Sequence, residues 1–333
     1  MPPAPGSARP AGETGKLPGR WWRNRNVILI LSITVALPVG QAAPWLEALV
    51  LPALALVMTL ALLEVSGASF KSPRGLVVPV LAGLVLNFGL NGGLVLGLSA
   101  LMSAREAIYT GFVLIAAAPP AVAVVPFTAL LRGDRTFAFL GTIGCYLGAL
   151  AITPLMAVGL LGTAFIHPLK IFWILAILIM LPLFLSRVLR RARLAPYLEP
   201  VRGALTNWSF ALITYTIVGL NRELFLYQPL ALLAPMAIAL ISTFGLGWAI
   251  TRGARLLGLG REITVSLVML GTLKNAALAG GLALSLFNQE TAVPATVSSI
   301  FLIVYFIWLS FWEDRGRELL EGETALDSAR RSE

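Results

Sequence analysis

Ten apolar runs, each close to the length that crosses a bilayer as a helix, divide almost the whole chain and leave few folds open to it. Inside hydrocarbon every backbone amide must find its partner within the protein, so a spanning chain is either helical or a closed barrel. These runs are continuous rather than alternating, which selects helices. They fall at Val27–Ala43, Leu46–Val65, Leu76–Leu98, Ala107–Leu131, Thr136–Leu161, Leu169–Leu189, Ala204–Leu220, Gln228–Ile250, Glu262–Phe287 and Ala292–Trp312. The chain is 58% hydrophobic and 12% charged, with a mean hydropathy of +0.85, outside the range of soluble domains. The expected fold class is an all-α polytopic membrane protein.

The net charge of +9 does not point to nucleic acid, because the basic residues lie between apolar runs and no aromatic-interleaved basic face accompanies them. It records topology. Arg20, Arg23 and Arg25, Lys71 and Arg74, Arg132 and Arg135, the Arg187–Arg193 cluster with Arg202, Arg252 with Arg255 and Arg261, and the C-terminal tail share one side. The other side carries Arg105, Lys170 and Arg222. The positive-inside rule then puts both termini in the cytoplasm of a cell (inner) membrane, with Trp45, Trp173 and Trp208 in the interfacial belts. Residues 1–26 read as a disordered cytoplasmic tail and 313–333 as a second, charged tail, with no cleavable signal evident. A single cysteine, Cys145, excludes an internal disulfide and a multi-cysteine metal site and reads as a small packing residue. His167, before Pro168, reads as a surface residue. No cofactor and no metal is expected.

Ten spans split into 27–161 and 162–312, and a five-span repeat must reverse its topology in the second copy, as in many secondary transporters. The fourth span of each half is interrupted. In the first, Pro119 and Pro120 remove two N–H donors, and Pro120 also pushes Pro119 out of the α region. In the second, Gly271-Thr272-Leu273-Lys274-Asn275 breaks the run about 155 residues later. Paired interruptions at matching positions mark a midplane binding site. Lys274 lies about 12 residues, roughly 18 Å of helix, from the nearest aqueous boundary, too far to snorkel. An ammonium at that depth costs at least ~2.5–3.5 kcal/mol and needs carbonyls, a carboxylate or water beside it. It is read as a functional residue ahead of a structural ion pair.

Gly111–Pro120, continuing through Phe127–Asp134, resembles the fourth span of the bile acid:sodium symporter superfamily. Lys274-Asn275-Ala276-Ala277-Leu278-Ala279 resembles that family's second crossing helix, usually Gln-Asn-Ser-Gly-Leu-Ala, and Thr153-Pro154 resembles the end of its fifth span. The resemblance implies ten helices in two inverted repeats with discontinuous crossing helices 4 and 9. Spans 1, 2, 6 and 7 would form a panel domain and the remainder a core domain. It also implies alternating-access transport of organic anions driven by sodium, with substrate at the panel–core cleft.

This sequence departs from that pattern where sodium binds. Val124-Val125 stands in place of a Ser-Asn pair, Leu270 in place of the crossing-helix carboxylate, Ala138 in place of one fifth-span hydroxyl, and Lys274 in place of the glutamine. Valine and leucine offer sodium no oxygen, so the first sodium site is expected to be lost. At the second, Lys274 puts a fixed cation where a mobile one would sit, facing carbonyl ends around Ile115–Ala118 and Leu270–Leu273. The expected function is sodium-independent transport of a small organic anion, with Lys274 either permanently charged or titrating and coupling transport to protons. Asn87 and Asn91, one turn apart, together with Thr128, Thr142, Thr272 and Asn275, are candidates to line the same cavity. Glu64, near a cytoplasmic end, reads as interfacial. A metalloid efflux carrier would call for a cysteine in the fourth span and a glutamate in the ninth, and a membrane sensor that keeps a transporter fold is the alternative from another class. An intramembrane enzyme or a channel lacks its catalytic set or filter here.

Overall fold

The computed structural model describes residues 25–63 and 73–309, apart from 104, 122, 163–167, 221, 228, 303, 306 and 307. Both tails, Glu64, Lys71 and His167 lie outside the described residues. Within them the chain is helical and no strand forms. In order the helices are α1 (Arg25–Val39), α2 (Val50–Leu62), α3 (Gly75–Met102), α4 (Glu106–Ala117), α5 (Val124–Leu130) and α6 (Arg135–Leu161). They continue as α7 (Pro168–Arg191), α8 (Ala195–Leu220), α9 (Pro229–Leu256), α10 (Arg261–Thr272), α11 (Ala276–Leu286) and α12 (293–302). Five helical stretches are long and apolar enough to cross a membrane: Val27–Leu60, α3, α6, α8 and α9.

Val27–Leu60 holds 34 residues but is not straight. Tight 3₁₀ turns at Gly40–Ala42 and Glu47–Leu49 separate α1 from α2, and both helices pack along α8. A Cβ on Gly40 would lie 2.8 Å from the Cα of Gly219, so α1 and α8 touch backbone to backbone there. Gly219 is one residue from the end of α8, and a straight continuation would carry α2 past that end. The chain therefore reverses between Gly40 and Leu49. The Tyr215 hydroxyl donates to the Val39 carbonyl beside the reversal. With α7 packed on α2, these helices form one layer in the order α1, α8, α2, α7.

The second group is built on α3 and α6, which pack along each other, with α4, α5 and α10 against α6. Two helices in it contain a π-turn, α3 at Val85–Asn91 and α9 at Ile241–Gly245. Such widened turns are rare and concentrate at functional sites. Both contain Phe-Gly-Leu, at Phe88–Leu90 and Phe244–Leu246. The helices that stop short correspond as well: α4 and α10 have 12 residues each, and their ends are 155 residues apart, 106 to 261 and 117 to 272. Asp134 caps α6 by accepting from the Phe137 N–H at 2.9 Å, and its own backbone N–H donates to the Glu262 carbonyl at 3.0 Å. That ties the start of α6 to the start of α10.

Candidate functional site at the crossing of two broken helices

Two prolines in succession end α4. Ala118 turns extended (φ −72°, ψ 144°), and helical structure resumes only at Val124. After α10, Leu273 is extended in the same way (φ −92°, ψ 90°) before α11 begins at Ala276. The two unwound segments cross antiparallel at Pro120 and Lys274. The Ala121 N–H donates to the Leu273 carbonyl at 2.7 Å, and the Asn275 N–H to the Pro119 carbonyl at 2.9 Å. This pair of bonds settles backbone groups that prolines and broken ladders would otherwise leave orphaned in an apolar interior. Asn275 then caps α11, its Oδ1 accepting from the Leu278 N–H at 3.0 Å, while its Nδ2 donates to the Tyr146 hydroxyl at 3.0 Å.

Lys274 is 5% exposed. Its Nζ donates to the carbonyls of Ala116 at 2.7 Å and Ala118 at 2.9 Å, at the C-terminal end of α4. That end carries the partial negative charge of a helix terminus, so a cation there is favoured. The Phe88 ring covers another face of the ammonium, 5.0 Å from Nζ to the ring centroid. Thr153 donates to the Ala117 carbonyl between them at 2.6 Å.

Asn87 and Asn91 come from the π-turn of α3. The Nδ2 of Asn87 donates to Ala118 at 3.1 Å, sharing that carbonyl with Lys274, and the Nδ2 of Asn91 donates to Gly271, in the last turn of α10, at 2.7 Å. One broken end thus receives a cation and an amide, the other an amide. Both Oδ1 atoms remain without a hydrogen bond among the described residues.

Each of the three candidate threonines has a bond within its own helix. Thr128, Thr142 and Thr272 each donate to the carbonyl four residues back, Val124, Ala138 and Val268, and none borders the cavity beside Lys274. Phe88, Tyr146 and Thr153 do touch the crossing, and the sequence reading gave them no role there. For Tyr146 and Thr153 a signal existed: they lie seven residues, two turns, apart on one face of α6, which Thr142 shares one turn earlier.

The cavity, of about 60 Å³, lies between α1 and α8 on one side and the crossing with α12 on the other. Leu29, Phe210 and Ile213 face Lys274, Asn275 and Ser299 across it. Beyond Ile217 it closes: a Cβ on Gly280 would lie 2.8 Å from Ile217 Cδ1, and one on Gly281 3.1 Å from Leu51 Cδ2. From Ile217 the cavity runs back along α8 to Phe210, towards the arginine-rich connection before that helix.

Helices broken at two corresponding places, crossing in an apolar interior beside a cleft, belong to membrane transport. Residues 27–308 match the SBF-like CPA transporter family. The chain belongs to that family. A comparison with curated proteins gave no match. A member of the SBF-like CPA transporter family with these apolar helices is a multi-pass membrane protein, which accounts for the exposed Trp173 and Leu155 as lipid-facing side chains. Three of the positions singled out in the sequence fall together in space. Val124, Ala138 and Leu270 are fully buried in one apolar cluster with Met269 and Leu273. Among the described residues no three His, Cys, Asp or Glu side chains gather to hold a metal.

Proposed function

We propose that this chain is a secondary transporter that moves a small organic anion by alternating access, independently of sodium, with Lys274 supplying the charge that a sodium ion would bring. The observation that carries the reading is the Lys274 ammonium donating to Ala116 and Ala118 at the carbonyl end of a broken helix. A tethered cation there leaves no charge for a mobile one to neutralise. The side chains of Val124, Ala138 and Leu270 support the same conclusion, since none of the three carries an oxygen.

The reading takes the ten apolar runs as two inverted five-helix repeats, 27–161 and 162–312. The matched 12-residue helices α4 and α10, the paired π-turns and the antiparallel crossing at Pro120 and Lys274 are what an inverted pair would produce. The layer of α1, α8, α2 and α7 corresponds to the panel and the group on α3 and α6 to the core. Substrate enters between them, with Asn275 and Lys274 at the cleft floor. At about 60 Å³ the cavity holds roughly two water molecules, so binding an organic anion requires the groups to part. The arginine-rich connections support an orientation with both termini on the cytoplasmic side of the cell (inner) membrane.

The test is uptake or exchange of labelled carboxylates and sulfonates in proteoliposomes, with sodium and pH gradients varied independently. Replacing sodium by potassium or choline at constant ionic strength leaves the rate unchanged if the reading is right. A saturable sodium requirement would overturn it. Acceleration by a pH gradient distinguishes a lysine that exchanges its proton from one that stays charged.

A further inference from the structure

An ammonium has three N–H donors and, in a dry interior, each needs an electron-rich partner. Two of those on Lys274 go to Ala116 and Ala118. A further contact of Nζ is the face of Phe88, at 5.0 Å from the ring centroid, within the range of about 6 Å where an aromatic quadrupole attracts a cation. The ring is 8% exposed and the lysine 5%, so little water competes for the pair.

The placement of that ring follows from the backbone. Phe88 lies in the π-turn Val85–Asn91, beside Asn87, which donates to the same Ala118 carbonyl that Lys274 uses. One widened turn therefore brings an amide to the carbonyl and a ring to the ammonium. The other π-turn presents Phe244 from the same Phe-Gly-Leu motif, but there the ring meets Tyr305 edge-on at 4.8 Å. The equivalent position is thus a packing aromatic in one half and a cation-facing aromatic in the half that meets Lys274.

We propose that Phe88 is the third partner of the Lys274 ammonium and acts as a positioning residue, its ring face holding the resident cation at the crossing point in place of water or a carboxylate. The inference rests on reading Lys274 as a resident cation, and its first test does not depend on transport. Phe88 is replaced in the full chain by phenylalanines carrying one, two and three ring fluorines, which weaken the face quadrupole while barely changing shape. Thermal unfolding is measured in detergent on the native and Lys274→Met backgrounds.

The melting temperature should fall stepwise with fluorination in the native background, by on the order of a few degrees over the series, and stay level in Lys274→Met. Equal slopes in the two backgrounds, or no slope in either, would overturn the proposal, because a ring that only packs is indifferent to the charge opposite it. Phe88→Leu, which keeps burial but no ring face, should lower the melting temperature more in the native background than in Lys274→Met. Equal loss in the two backgrounds counts against the proposal as well. Transport is the second readout: a fluorination slope in a protein inactive with every anion in the panel supports the Phe88 assignment and removes the organic-anion reading.

Discussion

Removing the charge of Lys274 while keeping its bulk separates its two bonds from its packing. In Lys274→Met the Ala118 carbonyl retains the Asn87 amide, but Ala116 loses its buried donor, at a cost of about 1–3 kcal/mol. That is a substantial share of a typical margin of stability without exceeding it. The variant should insert and run as a monodisperse species with a lowered melting temperature, while transport in proteoliposomes falls to background. Lys274→Gln still offers N–H donors but no charge, and is expected to be impaired too. Lys274→Arg brings a planar fork where a compact ammonium reaches two carbonyls of one helix end, and should not rescue. Full transport by the methionine variant would leave the lysine a structural cation. Thr128→Val and Thr142→Val test the opposite case: each hydroxyl only returns to its own helix, so uptake should stay within about twofold of the native protein, in line with the small effects typical of such changes.

At the scale of elements, orientation follows from the distribution of arginine and is tested by labelling. A cysteine placed between Arg190 and Arg202 should react only with reagents that reach the cytoplasm, and one at Gln289 only from outside. Native Cys145 is fully buried and should stay silent in both assays. Reversed labelling would overturn the orientation, and labelling of both sites from one side would remove the inverted-repeat reading. The interruptions were legible in the sequence because proline chemistry is local: two missing N–H groups at Pro119 and Pro120 end a helix whatever surrounds it. The charge of Lys274 was legible for a similar reason, since depth alone dictates that it needs partners. The π-turns were not. Nothing in Asn-Phe-Gly or Thr-Phe-Gly dictates a widened turn, and the bonds of Asn87 and Asn91 to the carbonyl ends of α4 and α10 are tertiary; only the repetition of Phe-Gly-Leu 156 residues on, from 88 to 244, hinted at it. The surroundings of the threonines were not legible either, because in an apolar interior a hydroxyl can always return to the carbonyl one turn back, so position along a helix does not establish what it faces.

For the whole molecule, the proposed motion requires the layer holding α8 to separate from the group holding α11, and the contact that must open is at Gly280 and Gly281. Their lack of side chains lets Ile217 and Leu51 approach closely. On the far side of that contact the cavity reaches back to Phe210, so the molecule is sealed on one face of the crossing and loosely packed on the other. A leucine at Gly280 would project into Ile217 and disfavour the sealed arrangement by about 1–3 kcal/mol, the usual cost of overpacking. Such a shift changes the balance between sealed and open forms by roughly 5- to 150-fold. Gly280→Leu should therefore slow transport by about fivefold or more. A cysteine at Ala277, which borders the cavity, should become more reactive to membrane-impermeant reagents added from the Gln289 side. Trimming the opposing residue tests the mechanism rather than the damage: Ile217→Ala in the Gly280→Leu background should bring back most of the rate and return Ala277 to its protected state. If Gly280→Leu leaves both rate and labelling unchanged, this contact does not open and close during transport, and the seal lies elsewhere between the two groups.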